Sequence, residues 1–252
     1  MEYYNIGFIG FGNMGKALGL GLISKNYNVY YNDLIDMEIS GVTYADVETI
    51  LSKCKYIVLA IKPYHYEEFL NNHDVRNNII ISIAAGITSA FMEKFCNKFI
   101  LTMPNTPATL KLGYTVMVKN DQLTDDEFET VRVFFNSVGK TKIINEEELS
   151  KYICLSGSSP AYFFMYIDCL STAMSKLGIE KTESEKILAH VMKATSEMLL
   201  QEGNSAKQLY ENVCSPNGTT IEAINVFKDN KFEEICYNAI KNCFEKAEKM
   251  KK

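Results

Sequence analysis

What this chain lacks narrows its function before any motif is read. Of its 252 residues, 26 are Lys or Arg against 31 Asp or Glu, a net charge of −5. The basic surface that nucleic acid or an anionic membrane demands is therefore missing, and neither is expected as a partner. No uncharged apolar stretch approaches the ~18 residues of a membrane-spanning helix, and the longest candidate, Ile79 to Ile87, is strand-sized. The seven cysteines (54, 96, 154, 169, 214, 236 and 243) are odd in number and nowhere spaced C-x-x-C. That speaks against a disulfide framework or a zinc knuckle and for a reducing, cytoplasmic setting. His65, His73 and His190 have no metal-ligand spacing, so no metal is expected and each is read as solvated or satisfied. The opening M-E-Y-Y-N-I-G enters an apolar strand with no basic region or long apolar run before it, so no signal peptide is expected.

What is present divides in two. From Tyr3 to about Ile144, strand-length apolar runs alternate with helical patterns, as a parallel sheet with crossover helices requires. Strands are predicted at Asn5–Ile9, Asn28–Tyr31, Tyr56–Ala60, Ile79–Ser82, Phe99–Thr102 and Thr115–Val118, with helices at about 14–25, 46–53, 65–71, 88–94 and 124–137. Runs such as I-V-L-A and I-I-I-S-I suit strands covered on both faces. From Glu147 onward the periodicity is helical, broken at G-S-S-P, L-G-I, E-G-N and S-P-N-G-T-T. Two domains are expected, 1–146 and 147–252. The apolar stripe Tyr162, Met165, Tyr166, Cys169 and Leu170 favours burial in a subunit interface. The lysines at 246, 249, 251 and 252 read as a frayed, solvated helix end.

The first strand runs into Gly10-Phe11-Gly12-Asn13-Met14-Gly15, with a helix following from Lys16. In a G-x-G-x-x-G placed this way the first glycine permits the tight turn. The second lets a pyrophosphate approach the backbone, and the third allows helix to pack on strand. The helix N-terminus then offers free N–H groups to the phosphates. Gly10 to Lys16 also spell the start of a P-loop, but Ala17 lacks the hydroxyl that would ligate magnesium. After the second strand, Asn32 and Asp33 stand where an acid would bind the adenosine ribose. No Lys or Arg lies between Asn32 and Ser40 to receive a 2′-phosphate, so of NADH and NADPH the lean is to NADH.

Three further segments end predicted strands: Ala60-Ile61-Lys62-Pro63, Ser82-Ile83-Ala84-Ala85-Gly86-Ile87 and Met103-Pro104-Asn105-Thr106-Pro107. Together with Leu155-Ser156-Gly157-Ser158-Ser159-Pro160-Ala161-Tyr162-Phe163 and Ser215-Pro216-Asn217-Gly218-Thr219-Thr220, they resemble pyrroline-5-carboxylate reductases in identity and order, over roughly residues 6–225. The resemblance implies an α/β fold: an N-terminal Rossmann-type doubly wound parallel sheet with an all-helical C-terminal dimerisation domain. It also implies a homodimer, sometimes within a larger ring of dimers. By similarity, Lys62-Pro63 and Ala84-Ala85 would border the cofactor and Asn105 and Pro107 would approach the nicotinamide. Ser215 and the N–H groups of Gly218 and Thr219 would hold the carboxylate of a small substrate, 1-pyrroline-5-carboxylate. Thr220 would be the catalytic donor near the ring nitrogen.

The residues support that chemistry in their own right, because a hydroxyl and consecutive N–H groups at a helix start form an anion site. Hydride addition to a protonated C=N bond needs no strong general base, matching the absence of a catalytic His, Lys or Glu in these motifs. Three positions depart from the family pattern: Leu101 stands where an Arg is common, and Ser159 and Asn217 each replace a Gly. Lys62 also reads as an ordinary loop lysine, and Ser82 as a strand-end hydroxyl paired to backbone. A β-hydroxyacid dehydrogenase is the rival enzyme, though its helix-borne lysine base has no signature here. A catalytically silent dinucleotide sensor is the rival outside enzymes.

Overall fold

The computed structural model describes residues 4–23 and 27–252. Positions 1–3 of the expected leaderless start, and 24 and 25 of the helix expected over 14–25, lie outside the described residues. In chain order the first part forms β1 (Asn5–Ile9), α1 (Asn13–Ile23), β2 (Asn28–Asn32), β3 (Val42–Tyr44), α2 (Val47–Lys53), β4 (Tyr56–Leu59) and α3 (Tyr66–Asn72). There follow β5 (Ile79–Ser82), α4 (Ser89–Met92), β6 (Phe99–Met103), β7 (Gly113–Lys119), α5 (Asp125–Asn136) and β8 (Gly139–Ile143). The strands make one sheet in the order β3-β2-β1-β4-β5-β6-β7-β8. Every neighbouring pair is parallel except β6 with β7, which is antiparallel. β1 pairs β2 on one side and β4 on the other, so the winding reverses at its carboxyl end. That is where open sheets of this kind bind ligands.

Alternation along the strands assigns the two faces of the sheet. Ile6, Phe8, Tyr56, Val58, Ile79 and Ile81 pack with Leu18 and Leu22 of α1 and with Phe128, Val131 and Phe134 of α5. Ile57, Leu59, Ile80 and Leu101 pack on the other face with Ile50 of α2, Leu70 of α3 and Phe91 of α4. Each such side chain contributes about 1.5–3 kcal/mol when taken wholly out of water. Leu101 is 1% exposed. At that site an apolar residue extends the core rather than facing a ligand.

α5 begins as its sequence predicts. Thr124 and Glu127 form a reciprocal capping box, the Glu127 amide donating to Thr124 Oγ1 at 3.2 Å and the Thr124 amide to Glu127 Oε2 at 3.2 Å. The same carboxylate accepts from Lys98 Nζ at 2.8 and 2.9 Å and pairs with Lys55 Nζ at 3.0 Å. Burial works to raise the Glu127 carboxyl, but these hydrogen bonds outweigh it and hold it at about 2.

Two strands escaped the sequence reading. β3 is three residues long at one edge, and β8, G-K-T-K-I at the other, carries two lysines. Short or charged edge strands blunt unwanted pairing, and for that reason they lack the apolar run by which strands are recognised.

Beyond β8 come α6 (Leu149–Tyr152), a π-helical segment Ile153–Gly157, α7 (Ser159–Lys176), α8 (Lys181–Leu199), α9 (Ala206–Val213), α10 (Thr219–Asp229) and α11 (Phe232–Lys249). The chain forms two compact units. The first runs to Pro160 and takes back Cys243–Lys252, and the second is Ala161–Asn242. The second unit leaves Phe163, Phe164 and Met165 of α7, Ile187 and Val191 of α8, and Ile235 and Tyr237 of α11 exposed. The expectation of a frayed lysine end is corrected at its tip. Lys251 pairs with Glu248 at 2.6 Å, and Lys252 bonds back onto the first unit through its amide, carbonyl and ammonium groups.

Candidate functional site

At the carboxyl end of β1 the chain turns through Gly10, whose φ of +88° lies in the region that favours glycine. The turn is pinned from β2: the Gly10 amide donates to Asn32 O at 2.8 Å, and the Phe11 amide to Asp33 Oδ2 at 2.6 Å. Asn32 is itself anchored by Nδ2 on Ala45 O at 2.8 Å, and the second Asp33 oxygen accepts from the Leu34 amide at 2.7 Å. A Cβ on Gly15 would stand 2.8 Å from Gly10 O, whereas one on Gly12 would meet nothing within 4 Å. The two glycines thus do different jobs, close packing at Gly15 and open space at Gly12. Asn13 is exposed and Met14 half-buried at the start of α1. An open glycine facing the first turn of an eleven-residue helix fits a diphosphate.

The neighbouring strand ends border this cradle. Ala60, whose amide donates to Ile9 O at 2.8 Å, lies against Gly10 and Gly15. Lys62 is exposed and extended ahead of a short helical turn that begins at Pro63. Beyond β5, Ala84 and Ala85 are half-buried. Ser82 is 1% exposed, and its Oγ is 3.1 Å from Tyr66 Oη, which donates to Leu59 O at 2.7 Å. The strand-end hydroxyl expected to pair with backbone lies nearer the Tyr66 hydroxyl, the Ala84 amide standing 3.5 Å away. Burial pushes the Tyr66 hydroxyl well above its ordinary pKa, so it remains a neutral donor.

Asn105 is 8% exposed, and its amide is largely spent within the protein. Nδ2 donates to Ser156 O at 3.0 Å, and Oδ1 accepts from the Tyr114 amide at 2.8 Å. Pro107 follows in a short helical turn, Thr106–Leu110, and is half-buried. Asn105 thereby locks the loop after β6 to the π-helical segment, in which a Cβ on Gly157 would lie 2.9 Å from Met103 Cε. Sequence periodicity carries no signal for that π turn, nor for the Tyr66 hydroxyl.

In the second unit, S-P-N-G-T-T joins α9 to α10. Asn217 has a φ of +61°, a conformation Asn accepts better than most residues, which explains how it stands in for a glycine. The Gly218 amide donates to Ser215 O at 3.0 Å, and a Cβ on Gly218 would come 2.4 Å from Ser215 Oγ. Gly218 is the N-cap of α10 and makes no side-chain cap, so Thr219 and Thr220 begin the helix with open amides. Ser215 and Thr219 are exposed and Thr220 half-buried.

Other reactive side chains have structural surroundings. Burial pushes the thiols of Cys54 and Cys96 up to about 12 each. His73 Nδ1 sits 2.9 Å from Glu48 Oε1. Among the described residues no group of three or more His, Cys, Asp or Glu is placed to hold a metal ion. No described helix is long and apolar enough to cross a membrane.

Comparison with known proteins gives this geometry a context. Residues 146–250 match the family model described as pyrroline-5-carboxylate reductase dimerisation, and residues 5–86 the one described as NADP oxidoreductase coenzyme F420-dependent. The chain is 31% identical to the pyrroline-5-carboxylate reductase of Escherichia coli, over 98% of each chain. It is 27% identical to pyrroline-5-carboxylate reductase 2 of Bacillus subtilis, over 97% of this chain and 92% of that one. The crystal structure of Plasmodium falciparum pyrroline carboxylate reductase with NADP bound superposes with a TM-score of 0.93 at 28% identity, covering 100% of both chains.

Proposed function

Because the chain belongs to the pyrroline-5-carboxylate reductase family, we propose that it reduces 1-pyrroline-5-carboxylate to L-proline, taking a hydride from NAD(P)H. The observation that carries this reading is the convergence of an open glycine cradle with three loops at the carboxyl ends of β1, β4, β5 and β6. Gly10, Gly12 and Gly15, with the amides of Asn13 and Met14, receive the pyrophosphate. Ala60, Lys62, Pro63, Ala84 and Ala85 border the nicotinamide half, and the loop of Asn105 and Pro107 closes it.

A bound dihydronicotinamide supplies the hydride. Ser215 Oγ and the amides of Gly218 and Thr219 hold the substrate carboxylate, aided by the positive end of α10. Thr220 orients the ring through its hydroxyl, which accepts from the iminium N–H and can turn to donate to the lone pair that forms on nitrogen as hydride adds. The ring reacts with its nitrogen protonated. Hydride adds at the imine carbon, on the other side of the nitrogen from the carbon that bears the carboxylate, the π electron pair of the C=N bond remains on nitrogen, and a neutral secondary amine results, so positioning supplies most of the catalysis.

Asn32 and Asp33 receive the adenosine ribose, and NADH is the preferred donor. The Asp33 carboxylate, held by the Phe11 and Leu34 amides, would repel a 2′-phosphate, and no cation between Asn32 and Ser40 offsets it. The active assembly is a cytoplasmic homodimer, open to growth into a ring of dimers. The exposed apolar faces of α7, α8 and α11 support an oligomer. The test is the decay of nicotinamide absorbance when purified protein meets pyrroline-5-carboxylate, with NADH and NADPH supplied separately. Saturable oxidation is expected with NADH favoured. Silence with both, despite measured dinucleotide binding, would refute the assignment.

A further inference from the structure

We propose that the segment Met250–Lys252, directly after α11, is a positioning strap that ties together two cofactor-bordering loops, Lys62–Pro63 and Ala84–Gly86, and so sets dinucleotide affinity. One residue reaches both loops. The Lys252 amide donates to Gly86 O at 2.9 Å, while its ammonium donates to Pro63 O at 3.0 Å and stands 5.6 Å from the centre of the Phe91 ring. Its carbonyl accepts from Thr88 Oγ1, the same hydroxyl that caps α4. The approach is backbone on backbone. Gly86 has a φ of +85°, and a Cβ added there would stand 2.5 Å from Met250 O. A side chain at position 86 would lift the strap away.

The inner side of the β5 loop is fixed by the buried hydroxyls of Tyr66 and Ser82, and by Thr102 Oγ1, which donates to Ser82 O at 2.9 Å. The strap grips the outer side, so the loop is ordered from both directions before a ligand arrives. Lys252 joins this loop to Pro63 from the outer side, while Tyr66 ties the end of β5 to the end of β4 from within. Ordering two loops in advance removes that entropy cost from the binding step, which appears as affinity for whatever the loops border. The proposal rests on reading those loops as the border of the dinucleotide site, and its test is a binding measurement that needs no turnover.

The experiment is fluorescence titration of the full chain with NADH and NADPH in the wild type, a variant lacking residues 250–252, Lys252→Ala and Lys252→Arg, with thermal melts on each. The deletion is expected to raise the dinucleotide Kd about 5–10-fold and Lys252→Ala about 3-fold, with Lys252→Arg restoring most of the loss because it keeps a donor for Pro63 O. In the assay with pyrroline-5-carboxylate, the KM for the dinucleotide should rise with Kd while the KM for the imine stays within about 2-fold. A general loss of fold would move both. Dinucleotide Kd values within 2-fold of wild type in the deletion and in Lys252→Ala would overturn the strap, whatever happens to the melting temperature. Should the deletion fail to fold, Lys252→Ala against Lys252→Arg decides alone. A wild type that binds dinucleotide but leaves pyrroline-5-carboxylate unreduced would refute the proposed reaction and leave the strap to be judged on Kd.

Discussion

The Phe11 amide donates to the Asp33 carboxylate across 2.6 Å, binding the glycine turn after β1 to the acid that ends β2. To this tie the proposed function adds cofactor selection by Asp33, and substitution can separate the two. Asp33→Asn keeps an acceptor for Phe11 and removes the charge, so it should move the kcat/KM ratio about tenfold toward NADPH. Asp33→Ala removes the acceptor as well and should weaken both cofactors. Steady-state kinetics with each dinucleotide separate the cases, and an unchanged ratio in Asp33→Asn would contradict electrostatic selection.

Gly12 offers a cleaner dissociation of fold from binding. Since an added Cβ there meets nothing within 4 Å, Gly12→Ala should cost no more than the loss of a better helix-start residue, about 1 kcal/mol or about 2–4 °C in melting temperature. The methyl group would nonetheless occupy the space where a pyrophosphate must approach, so dinucleotide Kd should rise at least about tenfold. Gly15→Ala, with Gly10 O only 2.8 Å from the new atom, should lose stability as well as affinity.

Legibility in the sequence follows the range of the interaction. The glycine turn and the start of α5 could be read because their constraints span a few residues: a positive φ at Gly10, a reciprocal cap between Thr124 and Glu127. β8 could not, because an edge strand is protected by the lysines that disguise it. The family motif points to Asn105 as a residue near the nicotinamide, but no local pattern reveals that its amide is committed to Ser156 and Tyr114. Lys252 looked like a solvated end because its bond to Pro63 spans 189 residues. The π turn at Ile153–Gly157 is likewise a product of tertiary fit, with Gly157 pressed against Met103.

Glu127 gives the fold a defined acid response. Its carboxyl is held at about 2 when folded, against ~4.3 for an unperturbed Glu. Because the folded value is the lower, the contribution is complete above roughly pH 4.5 and is lost as pH falls toward 2. With Lys98 and Lys55 partly exposed, Glu127→Gln should cost on the order of 1–2 kcal/mol at pH 7. Urea unfolding at pH 7 and pH 3 should show that gap narrowing with acid, and a gap independent of pH would mean the ion pairs contribute nothing.

The proposed function gives binding to Ser215 and catalysis to Thr220, and kinetics can tell the two roles apart. Ser215→Ala removes the hydroxyl proposed to hold the substrate carboxylate but leaves the Gly218 amide on Ser215 O, so the turn should survive. The expected result is an imine KM raised about tenfold with kcat within about twofold, the mark of an interaction made equally in ground and transition states. Thr220→Val keeps the shape at the second position of α10 and removes the hydroxyl proposed to face the ring nitrogen. There the loss should fall on kcat, by about 10–100-fold, because the hydroxyl serves where charge changes during hydride addition. A Thr220→Val enzyme with undiminished kcat would remove Thr220 from the reaction, and a Ser215→Ala enzyme with normal KM would leave the carboxylate to the α10 amides alone.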